Sequence, residues 1–244
     1  MSRRIPLLVA CAGLVAGTAL VAPSAFAQAP ATVAVAVKRI LFDDTKAEEA
    51  GNADWIISTS KPDPLQQNPN PTSESSWTGG ISAWGVALQR TGQYSLQTLI
   101  PRTQANTVPI TYGDSTNAQD LSKFDEFVLP EPNVLLSASE KTAVMKFVQN
   151  GGGLFLIVDH SGSDRNNDGS DSVAVVNDLM SNNGVDDTDP FGFRINAVDV
   201  KSGTPRAITS STDPVINGPY GKVTGSTIYD GSTLALYASD NSAV

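Results

Sequence analysis

Leu121 to Gly162 reads LSKFDEFVLPEPNVLLSASEKTAVMKFVQNGGGLFLIVDHSG, and this stretch decides the fold. Phe124 to Leu129 (FDEFVL) is a short apolar strand, closed by Pro130-Glu131-Pro132 because proline donates no ladder hydrogen bond. Ser137-Ala138-Ser139-Glu140 has capping-box spacing. Ala143, Val144, Phe147 and Val148 then share one helical face, and Gly151 to Gly153 end the helix. Leu154 to Val158 (LFLIV) is an unbroken apolar strand of the kind covered on both faces in a parallel sheet. Strand, helix and strand with short connections make a βαβ unit with a right-handed crossover.

The same alternation continues outward. Val35 to Phe42 (VAVKRILF) reads as a buried strand ending at Asp43-Asp44-Thr45. Residues 58–80 hold four prolines among Ser, Asn, Gln and Gly, a long loop of the kind that carries function. Ile81 to Arg90 is a helix with Ile81, Trp84 and Leu88 at helical spacing, stopped by Gly92. Tyr94 to Ile100 is a strand, residues 101–120 are irregular, and Val173 to Met180 is a further helix. Beyond Phe191 the chain turns to strand-and-turn text: FRINAVDV, PRAITS, KVTGSTIYD and STLALYAS. The expected class is α/β, an open parallel sheet followed by a β-rich C-terminal segment. Residues 28–190 form the α/β domain, and 191–244 complete it. The chain stops just after a strand-like run, as a truncated piece of a longer protein would.

Composition removes many functions. The 244 residues carry 25 Asp+Glu against 16 Lys+Arg, one Cys and one His. A net charge of −9 argues against nucleic acid, which needs clustered Lys and Arg. Arg3 and Arg4, the apolar Ile5 to Val21 and the Ala25-Phe26-Ala27 site describe a secretory signal peptide over 1–27, cleaved after Ala27. Leu8-Val9-Ala10-Cys11 resembles a lipoprotein signal, but its h-region is too short. Cleavage takes Cys11 with it and leaves 14 basic against 25 acidic side chains, a net charge of −11. The protein is then secreted or periplasmic, with no membrane span and no thiol chemistry.

Ligands of open α/β sheets sit at the carboxyl ends of the strands. Asp43 and Asp44 end the first strand, Glu131 follows the third, and Asp159 and His160 end the fourth. These acids with the one imidazole suit acid/base work or a divalent cation, and capping the next helix is the structural alternative. Asp43-Asp44-Thr45 lacks the i, i+2 spacing of the haloacid-dehalogenase nucleophile motif, and no G-x-S-x-G elbow is present. Asp164 to Gly169 (DRNNDG) places Asp164, Asn166 and Asp168 at calcium-loop positions 1, 3 and 5, with the Ser170 carbonyl at 7. Position 12 is Val175, so the loop is not a complete EF-hand, and Asp171 or Asp178 would supply the missing carboxylate. A plain Asx-rich turn is the alternative. Trp55, Trp77 and Trp84 flank the long loop and offer either core packing or a stacking face for a sugar, with Trp77 and Asp44 taken as ligand-binding candidates.

Leu121 to Gly162, together with RILFDDTKAEEAGNADW (Arg39 to Trp55), resembles the class I glutamine amidotransferase-like superfamily, and in particular exported bacterial members of it. The likeness covers roughly residues 38–180. It implies a flavodoxin-like open parallel sheet with helices on both faces and a strand-end crevice. The family's nucleophile is a Cys on an elbow after a strand, paired with a later His and Glu. The matching elbow here is Asp159-His160-Ser161, which has no Cys, and no His follows it. Amidotransferase chemistry is therefore not implied. The expected function is a non-catalytic exported domain that binds an extracellular ligand, glycan or surface partner, with a calcium loop ordering the rim. The alternative is a metal-assisted hydrolase of extracellular material using Asp43, Asp44, Glu131, Asp159 and His160. A structural module of a larger surface protein is a third reading.

Overall fold

The computed structural model describes residues 36–100, 108–187, 191–204, 212, 214, 216–218, 221–225 and 229–236. The expected signal peptide over 1–27, PRAITS and residues 237–239 of the last strand-like run lie outside the described residues. The elements in order are β1 (Lys38–Phe42), α1 (Ser82–Arg90), β2 (Tyr94–Thr98), β3 (Glu126–Pro130), α2 (Ala138–Gln149), β4 (Gly153–Ile157) and α3 (Ser172–Ser181). Short strands follow: β5 (Phe193–Ile195), β6 (Asn217–Gly218), β7 (Gly221–Lys222) and β8 (Leu234–Leu236). The first four strands form one parallel sheet in the order β2-β1-β3-β4. This is an α/β architecture, as the Leu121–Gly162 stretch implies.

Side-chain alternation along the strands builds two cores. Ile40, Phe42, Leu96 and Val128 point to one face and pack with Trp77 and with Val86 of α1. Leu41, Phe127 and Leu129 point to the other, against Ala143, Val144 and Phe147 of α2 and Val175 and Leu179 of α3. Each fully buried side chain of this size contributes about 1.5–3 kcal/mol relative to exposure. The apolar run of β4 departs from expectation. It lies at the end of the sheet order, and Phe155 remains 53% exposed, resting 5.3 Å from the Trp84 ring. An edge strand and a doubly covered strand share the same apolar text.

The C-terminal segment adds no strand to the main sheet among the described residues. β5 and β8 pair with each other, antiparallel, with Ile195 opposite Leu234. Ile195 packs on Val173, Val176 and Met180 of α3. β6 and β7 form a separate two-residue ladder.

The capping box at α2 does more than start a helix. Glu140 Oε2 accepts from the Ser137 amide at 2.9 Å, while Oε1 receives Lys46 Nζ at 3.0 Å and the Ile110 amide at 3.2 Å. Lys46 and Glu140 are both fully buried. The loop leaving β1 is thereby fastened to the first turn of α2. Breaking a buried ion pair from one side costs about 3–5 kcal/mol. Lys46→Met and Glu140→Gln are each predicted to lower unfolding free energy by about that amount. Urea denaturation followed by circular dichroism measures it, and a loss under about 1 kcal/mol, the scale of an exposed pair, would contradict the assignment.

Candidate functional site at the carboxyl edge of the sheet

Parallel strands bring their carboxyl ends to one edge. That edge carries Asp43 and Asp44 after β1, Glu131 after β3, and Asp159 and His160 after β4. Glu131 holds a left-handed backbone (φ 45°), uncommon outside glycine. Its N–H donates to the Ile157 carbonyl at 2.9 Å, and its side chain is fully buried.

Arg165 organises the β3–β4 half. Its Nε donates to Glu131 Oε1 at 2.9 Å, one terminal nitrogen bonds Asp159 Oδ2, and the other donates to Asn52 Oδ1 at 2.9 Å. Its backbone N–H donates to Asn133 Oδ1 at 3.0 Å, and Asn133 Nδ2 returns to the Glu131 carbonyl at 2.8 Å. Gly51 admits this approach: a Cβ there would lie 2.8 Å from the Arg165 carbonyl oxygen. Burial raises the Glu131 carboxyl above its ordinary value, and Arg165 only partly opposes it. Burial pulls Arg165 down, but Glu131 and Asp159 outweigh it and hold the guanidinium above its ordinary value.

The β1 half is a separate group. Asp43 Oδ1 accepts from Thr45 N and Oγ1, at 3.2 and 2.9 Å. Lys61 Nζ lies 2.5 Å from Asp44 and also bonds Glu49. Glu48 is fully buried and accepts from the Lys46 amide at 2.7 Å. Burial raises Asp44 to about 7 despite Lys61. Burial, with Asp43 beside it, raises Glu48 well above the ordinary range.

His160 touches the Arg165 group only through Asp159, whose Oδ1 accepts its backbone N–H at 2.7 Å. Its Nδ1 lies 2.9 Å from the Ser161 carbonyl and 3.8 Å from Asp199, and its Nε2 is 4.0 Å from Asp159. The acids expected as one cluster are thus divided, and Arg165 bridges the adjacent pair Glu131 and Asp159. Among the described residues no group of three or more His, Cys, Asp or Glu side chains is placed to hold a metal.

A cleft of about 600 Å³ opens over Arg165. Asn52, Trp55, Asp159 and His160 line it from the sheet side, and Tyr229 to Ser232 close it from the C-terminal segment. Tyr229 is 82% exposed. Trp77 corrects the sequence reading. It is 1% exposed, packs in the β1 core, and donates Nε1 to the Asn68 carbonyl at 3.0 Å, so no ligand reaches its ring. Trp84 packs edge-on to Phe42 at 5.2 Å. Asp44 is held by Lys61 and does not line the cleft. Tyr229 carries no sequence motif. Arg165 is the second residue of the DRNNDG motif, where it holds no ligand position, and Trp55 is the stacking candidate of the sequence that does line the cleft.

The 164–169 loop is tightly wound. Asp164 accepts from the Asp168 and Gly169 amides at 3.1 and 2.8 Å, and Asp168 accepts from the Ser170 amide at 2.9 Å. Asn167 and Gly169 are left-handed (φ 58° and 95°). Asn166 Nδ2 donates to Asp168 at 3.0 Å, while Asn166 Oδ1 is buried without a hydrogen-bond partner. Asp171 caps α3 through Ala174 N at 2.8 Å and accepts Gly162 N at 2.7 Å, so both its oxygens serve the backbone. Asp178 pairs with Lys141 at 2.7 Å. Neither supplies the carboxylate expected late in the loop.

These shifts set a pH dependence. Asp44 and Glu48 keep protons in the folded state that the unfolded chain releases near its ordinary carboxyl range. The Asp44 contribution is full below about 4 and is lost as pH rises through about 7, and that of Glu48 is likewise lost as pH rises above its ordinary range. Asp120 works in the opposite sense: burial pushes it up, but bonds from Ser122, Thr111, Asp114 and Gly113 outweigh that and hold it at about 2. Its contribution is present above the ordinary value and lost as pH falls towards 2. The urea midpoint is predicted to fall between pH 5 and 8, and Asp44→Asn with Glu48→Gln to flatten that fall. A wild-type midpoint constant over this range would contradict the assignment.

No family model matches the chain, and no curated protein does. Among solved structures, the "mmIFT52 N-terminal domain" is similar at a TM-score of 0.45 and 13% identity, over 83% of this chain and 70% of that chain.

Proposed function

We propose that this chain is an exported, amidotransferase-like domain with flavodoxin-like layering that binds a saccharide in the strand-end cleft and uses no cysteine chemistry. The strand order β2-β1-β3-β4 supports the layering, since flavodoxin-like sheets begin with that order. One observation carries the binding function: Trp55 and Tyr229 line the same cleft as Asn52, Asp159, His160 and Arg165. A sugar presents apolar C–H faces to aromatic rings and hydroxyl edges to planar donors and acceptors. The clamp orders Arg165 and Asp159 before any ligand arrives, which lowers the entropic cost of binding. The hydrolase alternative needs Asp43, Asp44, Glu131, Asp159 and His160 at one point. Arg165 between two of them, and Thr45 and Lys61 on two others, favour binding over it.

The 164–169 loop is proposed as a calcium site that orders the rim. Asp164, Asn166, Asp168 and the Ser170 carbonyl are hard oxygen donors of the type calcium takes, and the partnerless Asn166 Oδ1 fits a cation. Arg165 is the second residue of this loop, so ordering the loop orders the clamp.

Isothermal titration with glucose, galactose and N-acetylglucosamine oligomers, in calcium and in chelator, tests both parts. At least one series is predicted to bind. Trp55→Ala and Tyr229→Ala are each predicted to weaken it about tenfold, the worth of one aromatic contact. Chelator is predicted to weaken binding and lower the melting temperature, with neither effect in Asp164→Asn. Absence of binding by every series would overturn the saccharide reading, and indifference to chelator would overturn the calcium site.

A further inference from the structure

We infer that the ligand is amphiphilic, a hydroxylated head in the cleft carrying an apolar chain that lies in the slot between β4 and the β5–β8 pair. The inference rests on the saccharide reading of the cleft and narrows it to a class, glycosides with an alkyl or acyl chain.

The slot is a second cavity of about 260 Å³. Leu156 and Val158 form one wall and Phe193, Ile195 and Leu234 the other. Among the described residues no charged side chain lines it, whereas the cleft is lined by Asp159, Asp230, Arg165 and His160. Val158 and Ser232 line both cavities, so the two spaces adjoin. The apolar wall opens to solvent, with Leu234 59% exposed. An apolar-lined slot that adjoins a polar cleft matches an occupant with an apolar and a polar part. A free sugar would leave this slot wet, and a bare hydrocarbon would leave the polar groups of the cleft unanswered. One molecule with a polar head and an apolar tail satisfies both, and the shared Val158 and Ser232 mark where head meets tail.

The test titrates methyl and octyl β-glycosides of glucose, galactose and N-acetylglucosamine, each below its micellar concentration, into the wild-type protein. The octyl member of the bound series is predicted to bind at least about tenfold tighter than the methyl member, the worth of two buried methylenes. Leu234→Asp, a change at an exposed position, is predicted to bring octyl affinity to the methyl value and leave methyl binding unchanged. Leu234→Trp, which fills the slot instead of charging it, is predicted to do the same. Trp55→Ala weakens both ligands alike. Equal affinity for methyl and octyl in wild type would overturn the inference and leave the saccharide reading standing. An octyl preference untouched by either Leu234 variant would overturn it equally. Octyl binding indifferent to Trp55→Ala would place the head outside the cleft and overturn both readings, as would absence of binding by every glycoside. Dimerisation through the slot, seen by light scattering and lost in Leu234→Asp, would assign it to a second copy of the chain and overturn the inference.

Discussion

The Arg165 guanidinium between Glu131 and Asp159 is the interaction on which the carboxyl edge depends. β3 and β4 are adjacent strands in register, so the acids that follow them are forced together by the sheet itself. Two carboxylates brought together away from water repel and resist ionisation. A planar guanidinium answers both at once, because its donors form a rigid fork that a lysine does not offer. The other terminal nitrogen reaches Asn52, and the Arg165 backbone N–H donates to Asn133, so one residue joins the loop after β1, the turn after β3, the end of β4 and the 164–169 loop. The cleft has a fixed floor for this reason.

Much of the frame is legible in the sequence. The capping box at Ser137 and Glu140, the alternation of Ile40, Leu41 and Phe42, and the glycines after α2 each follow from local rules, and they place the elements within a few residues. The parallel order then puts Asp43, Glu131 and Asp159 on one edge, which was also legible. Their division into two groups was not. It is made by Lys61 and Arg165, and a lysine or arginine in isolation reads as solvated surface. Such partners are remote in sequence: Arg165 and Glu131 are 34 residues apart, and the buried Lys46 and Glu140 are 94 apart. No local pattern announces such pairs.

The tryptophans show the same limit from the apolar side. Trp55, Trp77 and Trp84 are equal as text, yet one lines the cleft, one fills the β1 core and one packs between Phe42 and Phe155. Tertiary packing alone separates them. The run Leu154 to Val158 is likewise apolar whether both faces are covered or one edge is open. Its openness gives the slot beside the cleft its near wall. The lone His also moved. Its sequence position suggested a partner for the strand-end acids; it keeps Asp159 as a neighbour, and the turn after β4 also brings its ring to Asp199 of the C-terminal segment.

Side-chain NMR of the arginines tests the clamp most directly. The account predicts that the Arg165 Nε–H exchanges with water far more slowly than that of exposed Arg90 at neutral pH, and that Glu131→Gln removes this protection together with saccharide binding. An Arg165 Nε–H that exchanges as fast as that of Arg90 would mean the guanidinium is free in solution, and would contradict the account.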